Sequence, residues 1–414
     1  MKVRQRYLSN AEDVQRKTAI AALSLGHACV DVYQGSVAAL VPYFVAERHY
    51  TLAAASGLVL SVSIIASIVQ PLFGVLTDRW SMPWLIPVST VLSGVGIAAS
   101  GLAGSYLLVL VFVAITGIGI SAYHPESARI ARQASEGSHR AMAYFSTGGN
   151  VGFAVAPLLV AAAIATGGLR WTPVLVLPAL AGTALMLPVL AALRRHHARN
   201  QVAARIPAGP DDVPAFLRLS AAVIFRSVAF IGLSTFISID IQHRLSGYAM
   251  AGTMALFVLY AGGIVGSVWG GALASRWDRV TVSRWSYLIS ALAIAGVIWT
   301  PGPAVYLCIA MTSVALYVPF SLQITLGQDY LPSRMGTASG VTLGLTVSIG
   351  GLISPVIGVL AEATTLHTAL IPLCVMPIVS WLLFCTLTDP QQRADLRSPA
   401  VEDRAVVLGE PVVR

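Results

Sequence analysis

The chain has 414 residues, 56% of them hydrophobic and only 11% charged, with a mean hydropathy of +0.76. Soluble domains carry about 25% charged residues, so composition excludes an ordinary water-facing enzyme. The net charge of +8 would suit a nucleic-acid binder only if the basic residues formed a patch, and they do not.

The first 17 residues, MKVRQRYLSNAEDVQRK, are polar and of mixed charge. No small-residue cleavage site follows a short apolar core, so a secretory leader is not expected. Apolar blocks then run at 18–42, 52–76, 83–103, 106–130, 140–166 and 171–193. A polar linker, 194–217, follows, and six more blocks run at 218–243, 249–274, 284–301, 303–327, 336–361 and 366–388. Most are about 20 residues long, the length that crosses a hydrocarbon core. Lipid offers the backbone no hydrogen-bond partner, so each block is predicted to be a helix. The predicted fold is therefore all-α and integral to the membrane, with about twelve spans in two six-helix bundles, 18–193 and 218–388, and a polar tail over 389–414.

Basic residues fall on alternate connectors. One side collects the N-terminal set, Arg132, Arg140, the linker arginines, Arg276, Arg279, Arg284 and Arg334. The other holds only Arg48, Arg170 and Arg244. Positive charge marks the cytoplasmic side, so both termini are expected there, and the charge needs no nucleic acid to explain it. Cys29, Cys308, Cys374 and Cys385 have no paired spacing, which argues against disulfides and zinc. No metal or cofactor is expected. On a helix Cys29 points away from His27 and Asp31, and His196 and His197 read as a solvated basic loop.

The two halves repeat each other. GVLTDRW (Gly74–Trp80) matches GALASRW (Gly271–Trp277), and YHPES (Tyr123–Ser127) matches YVPFS (Tyr317–Ser321). Arg140 and Arg334 keep step with them, as do Gly152 with Pro157 and Gly350 with Pro355. All offsets lie near 195 positions, the pattern of a duplicated six-helix unit. Two such halves describe the major facilitator arrangement, with the substrate site at their interface near mid-membrane.

A charge at the centre of a span costs about 2.5–3.5 kcal/mol, so those present mark function. His27 and Asp31 lie four residues apart on one face of the first span. His124 and Glu126 lie in the fourth, inward of Arg129. The seventh carries Arg226, with Asp240 near its far end, and the tenth carries Gln323. The first, fourth, seventh and tenth spans of a two-half transporter would share a central cavity. Asp31, then Glu126, are the candidate proton carriers, with His27 and His124 as partners. Arg226, Gln323, Gln34, Tyr123 and Tyr317 are the candidate substrate contacts. Pro125, Pro319, Pro157 and Pro355 are candidate hinges, since proline removes a backbone hydrogen bond and bends a helix. A static salt bridge from Asp31 or Glu126 to Arg226 is the structural alternative.

GVLTDRW resembles the loop signature of the major facilitator superfamily. That resemblance implies that Asp78 and Arg79 brace the cytoplasmic gate, with Arg129 and Arg276 as further gate candidates. The signature fails at SMPW, and its second copy has Ser275 where the acid belongs, with Asp278 nearby. Within the superfamily the chain resembles the fosmidomycin resistance protein group. His27, Asp31, QPLFG (Gln70–Gly74), YHPESARIAR (Tyr123–Arg132), GGNVG (Gly148–Gly152), Arg226–Ser227 and QDYLP (Gln328–Pro332) carry the likeness. It implies proton-coupled export of small organic compounds, drugs included, by a multi-pass monomer of the bacterial inner membrane. GGNVG with Pro157 also loosely resembles the glycine–proline motif of drug antiporters; close helix packing by small residues explains it equally well. The rival readings are a proton-coupled importer or facilitator of a small organic anion held by Arg226, an intramembrane enzyme using His124 and Glu126, and a transporter-derived receptor.

Overall fold

A computed structural model describes residues 2–134, 139–197, 210–245 and 249–390. Helices α1 (Lys2–Arg48), α2 (Leu52–Arg79), α3 (Leu85–Ser100), α4 (Tyr106–Ala134), α5 (His139–Ile164) and α6 (Leu177–His197) precede the linker. Helices α7 (Val213–Arg244), α8 (Ala249–Ala274), α9 (Arg279–Trp299), α10 (Val305–Tyr330), α11 (Met335–Ala363), α12 (Leu366–Leu370) and α13 (Val375–Cys385) follow it. No strand occurs among the described residues.

Ten segments are long and apolar enough to span a membrane; Leu85–Ser100 is a shorter apolar helix, and Ile349–Ala363 is the apolar C-terminal part of the 29-residue α11. Together they account for twelve crossings. Two predicted blocks are not single helices. The sixth opens with a 3-10 stretch at Gly168–Val176, which contains Pro173, and the last breaks into α12, a 3-10 turn at Ile371–Cys374 and α13. Proline supplies no backbone donor, and Pro173 and Pro372 sit in these two interruptions. At the other end of the chain, α1 continues back to Lys2, through the segment predicted to be merely polar.

Polar side chains set several helix starts. Thr51, Asp212 and Asp278 accept from Ala54, Ala215 and Thr281 at the beginnings of α2, α7 and α9. Such caps satisfy orphan amides of the first turn. Asp278, displaced from the acidic place of the loop signature, is thus a helix cap.

Helices α1 to α6 pack chiefly on one another, as do α7 to α13, and the two groups meet along α2–α11 and α5–α8. The most buried spans are the first and seventh, at 67% and 83%, and the least are the sixth and last, at 28% and 33%. That ranking explains why α1 and α7 tolerate polar residues: they face protein, while the sixth and last spans face the surroundings. Large apolar side chains such as Leu107, Leu292, Leu307 and Trp269 are exposed, as a lipid-facing surface requires.

Candidate functional site

Basic residues concentrate at the end of the bundle where α1 begins, its basic end. His27 and Asp31 rise from α1, His124 from α4, and all three converge. Asp31 Oδ2 lies 3.3 Å from His27 Nε2, and Oδ1 lies 3.2 Å from His124 Nε2. His27 and Asp31 are buried, at 8% and 4% exposure. Tyr123 stacks on His27 at 6.1 Å between ring centroids, and Phe145 of α5 stacks on His27 at 4.5 Å.

The other nitrogen of each imidazole fixes where its hydrogen sits. His27 Nδ1 lies 3.0 Å from the Phe145 carbonyl, and His124 Nδ1 lies 2.8 Å from the Ile120 carbonyl. A carbonyl oxygen only accepts, so both Nδ1 atoms carry hydrogen. In a neutral imidazole the Nε2 is then a bare acceptor. Two such acceptors face two carboxylate oxygens, and neither His27 Nε2 nor Asp31 Oδ1 makes a well-formed hydrogen bond. The cluster becomes attractive only when a proton, or another small cation, lies among these atoms. The ligand atoms of the trio fall within 4.8 Å of one another. Sequence reasoning paired His27 with Asp31 but did not bring His124 to the same carboxylate; the fourth-span histidine was the available signal.

Glycine makes this convergence possible. A Cβ on Gly149 would lie 2.4 Å from Asp31 Oδ2, and one on Gly152 would lie 2.2 Å from the Ala28 carbonyl oxygen. The GGNVG run therefore lets α5 press directly on α1.

Glu126 belongs elsewhere. It is fully buried, pairs with Arg129 at 2.5 Å and accepts from the Met82 amide at 3.1 Å, beside the start of α3. Arg129 also donates to Ser81 at 2.8 Å. Asp31 and Glu126, the two candidate proton carriers, thus sit in separate networks. Arg129 thereby ties α4 to the loop that precedes α3. The side chains of Asp78 and Arg79, the other predicted gate pair, lie outside the described residues, as does most of the polar linker. Arg276 is exposed. Its neighbour Arg279 does the joining instead, pairing with Asp329 at 2.7 Å and Asp389 at 2.6 Å. The acid of QDYLP, read only as part of the family likeness, was the missed signal.

Arg226 is 1% exposed on α7. Its Nε donates to the Leu316 carbonyl at 2.7 Å, and its guanidinium lies 5.7 Å from the Tyr317 ring and 5.2 Å from the Phe320 ring. It makes no ion pair with Asp31, Glu126 or any other carboxylate among the described residues, so the static bridge to Arg226 is not formed. Gln323 bonds to the Tyr287 hydroxyl of α9 and does not reach the Asp31 cluster. Gln34 is partly buried. Asp240 pairs with Arg244 one turn on, at 3.2 Å. Pro125, Pro157, Pro319 and Pro355 all lie inside continuous helices. An apolar cavity of about 440 Å³, lined by residues such as Leu159, Val174 and Pro178, touches none of these charged groups.

Twelve crossings in two repeated groups, with charged residues gathered on the most buried helices, are the architecture of a membrane transporter. The chain belongs to the Major Facilitator Superfamily, whose family model matches residues 23–401; this is a family of transporters, not enzymes. It is 28% identical over 374 residues to the fosmidomycin resistance protein of Escherichia coli (strain K12), covering 88% of this chain and 91% of that one. It is 26% identical over 385 residues to the uncharacterized MFS-type transporter YfnC of Bacillus subtilis (strain 168), covering 90% and 93%. Among solved structures, the fold is similar to a bacterial homolog of the human lysosomal transporter Spinster in an inward-facing, unoccupied conformation. That match has a TM-score of 0.72 at 16% identity and covers 89% and 96% of the two chains. The nucleoside transporter NupG matches with a TM-score of 0.71 at 12% identity, covering 89% and 99%.

Proposed function

We propose that the chain is a proton-coupled exporter of a small organic compound, working by alternating access in a bacterial-type plasma membrane with its basic end in the cytoplasm. The observation that carries this reading is the Asp31 cluster, in which acceptor faces acceptor until a proton enters. A carboxylate held between two such imidazoles gains a proton and loses it as its surroundings change. That is what coupling to a proton gradient requires. The relative named for fosmidomycin resistance supports export of a drug-like compound. The concentration of basic residues on one side supports the orientation.

Inside-out vesicles containing the protein, with a pH-sensitive dye in the lumen, test the reading. After an acid-inside gradient is formed, an exported compound should release luminal protons and restore the dye signal. A compound that moves without any proton signal would refute coupling. Compound-driven movement of protons in the opposite sense would favour the importer.

A further inference from the structure

His27 and Arg226 hold equivalent places in the two halves. His27 directly precedes Ala28, whose carbonyl meets Gly152 of α5; Arg226 directly precedes Ser227, whose carbonyl meets Gly350 of α11. His27 stacks on Tyr123, and Arg226 lies over Tyr317, the matching tyrosine of the repeat. The halves differ in the counter-charge. Four residues after His27 stands Asp31, 3.3 Å from the imidazole. Four residues after Arg226 stands Phe230, which packs edge-on against Tyr317 at 5.2 Å.

The C-terminal half therefore buries a cation and, among the described residues, supplies no acid to meet it. Arginine stays protonated in proteins, and an uncompensated buried charge is costly. The two aromatic faces and one carbonyl compensate only part of it, and Arg226 Nη1 is buried without an acceptor among the described residues. Aromatic rings continue away from the guanidinium, from Tyr317 to Phe230, then Tyr260 of α8 and Phe153 of α5. This run crosses from one half of the protein to the other, where a transported molecule must bind.

We propose that the missing counter-ion is the cargo: Arg226 docks the acidic group, carboxylate or phosphonate, of an organic anion whose apolar body lies along the Tyr317–Phe230–Tyr260 rings. This deepens the transporter reading and rests on it, but not on proton coupling.

The test uses the purified full chain in lipid nanodiscs at one pH, with benzoate and phenylphosphonate as acidic probes and benzamide as the neutral control. Thermal unfolding is followed against probe concentration. At least one acid should stabilise the wild type saturably, and benzamide should not. Arg226→Gln should weaken the acid response about tenfold or more, and Arg226→Lys should retain part of it. Phe230→Glu keeps Arg226 but restores the internal pair of the other half; it should be monodisperse and indifferent to the acids. The proposal is overturned if the wild type ignores both acids, if benzamide acts equally, or if Arg226→Gln or Phe230→Glu responds like the wild type. No gradient is present, so a failure of proton coupling would leave these results unchanged.

Discussion

Asp31 and His124, carried by different helices, meet with Oδ1 and Nε2 3.2 Å apart, and the two side chains differ in access: that of His124 is 26% exposed and that of Asp31 only 6%. His124 is thus the more accessible neighbour of a nearly dry carboxylate. Its Nδ1 is committed to the Ile120 carbonyl, so only Nε2 is free to pass a proton inward. His124→Gln should lower proton-driven flux by about 100-fold, the lower range for loss of a proton-transferring group, and substrate exchange without a gradient should continue. The check is the pH profile of dye-reported flux beside gradient-free counterflow of the same variant. Equal loss in both would make His124 a structural residue.

Glu126 is expected to act on stability, not on proton movement. Its carboxylate holds Arg129 and the Met82 amide at the basic end. Breaking a buried pair by removing one partner costs about 3–5 kcal/mol; Arg129 keeps some access to solvent, so Glu126→Ala should fall at or below the low end of that range. Thermal unfolding in detergent measures the loss. Flux normalised to folded protein should keep the wild-type pH dependence; a flattened pH profile would return Glu126 to the list of proton carriers.

Gly149 should be intolerant of even one added methyl. A Cβ there would strike Asp31 Oδ2 and the His27 ring at 2.4 and 2.8 Å. Overpacking of this kind costs about 1–3 kcal/mol, and here it falls on the cluster itself. Gly149→Ala should fold with reduced stability and lose most proton-coupled flux. Gly74→Ala is the control, because a Cβ at Gly74 meets nothing within 4 Å. Similar behaviour of the two variants would separate the GGNVG run from the function of the cluster.

The fold was legible because lipid leaves the backbone few choices. Block length and apolar content mark each helix, and the repeats GVLTDRW/GALASRW and YHPES/YVPFS mark the duplication. The 3-10 interruptions were harder to foresee, since many membrane prolines sit in unbroken helices, as Pro125 and Pro319 do here. Of the site, the helices that carry charge were legible, but not which charges meet. Asp31 and Glu126 differ by a rotation about their own helices and by depth, and only packing decides that one faces two histidines and the other the start of α3. Arg279 was hidden for a similar reason: its partners, Asp329 and Asp389, are remote in sequence. The Phe230 position meant nothing until the matching contacts of Gly152 with Ala28 and Gly350 with Ser227 aligned the two halves.

The central claim is that Asp31 gives and takes the coupling proton. Asp31→Asn removes the charge and keeps the shape, so counterflow of substrate across vesicles without a gradient should persist at a rate close to wild type. Uphill movement driven by a proton gradient, and the accompanying dye signal, should vanish. Asp31→Asn protein that still accumulates substrate against its concentration gradient, with unchanged pH dependence, would contradict the account.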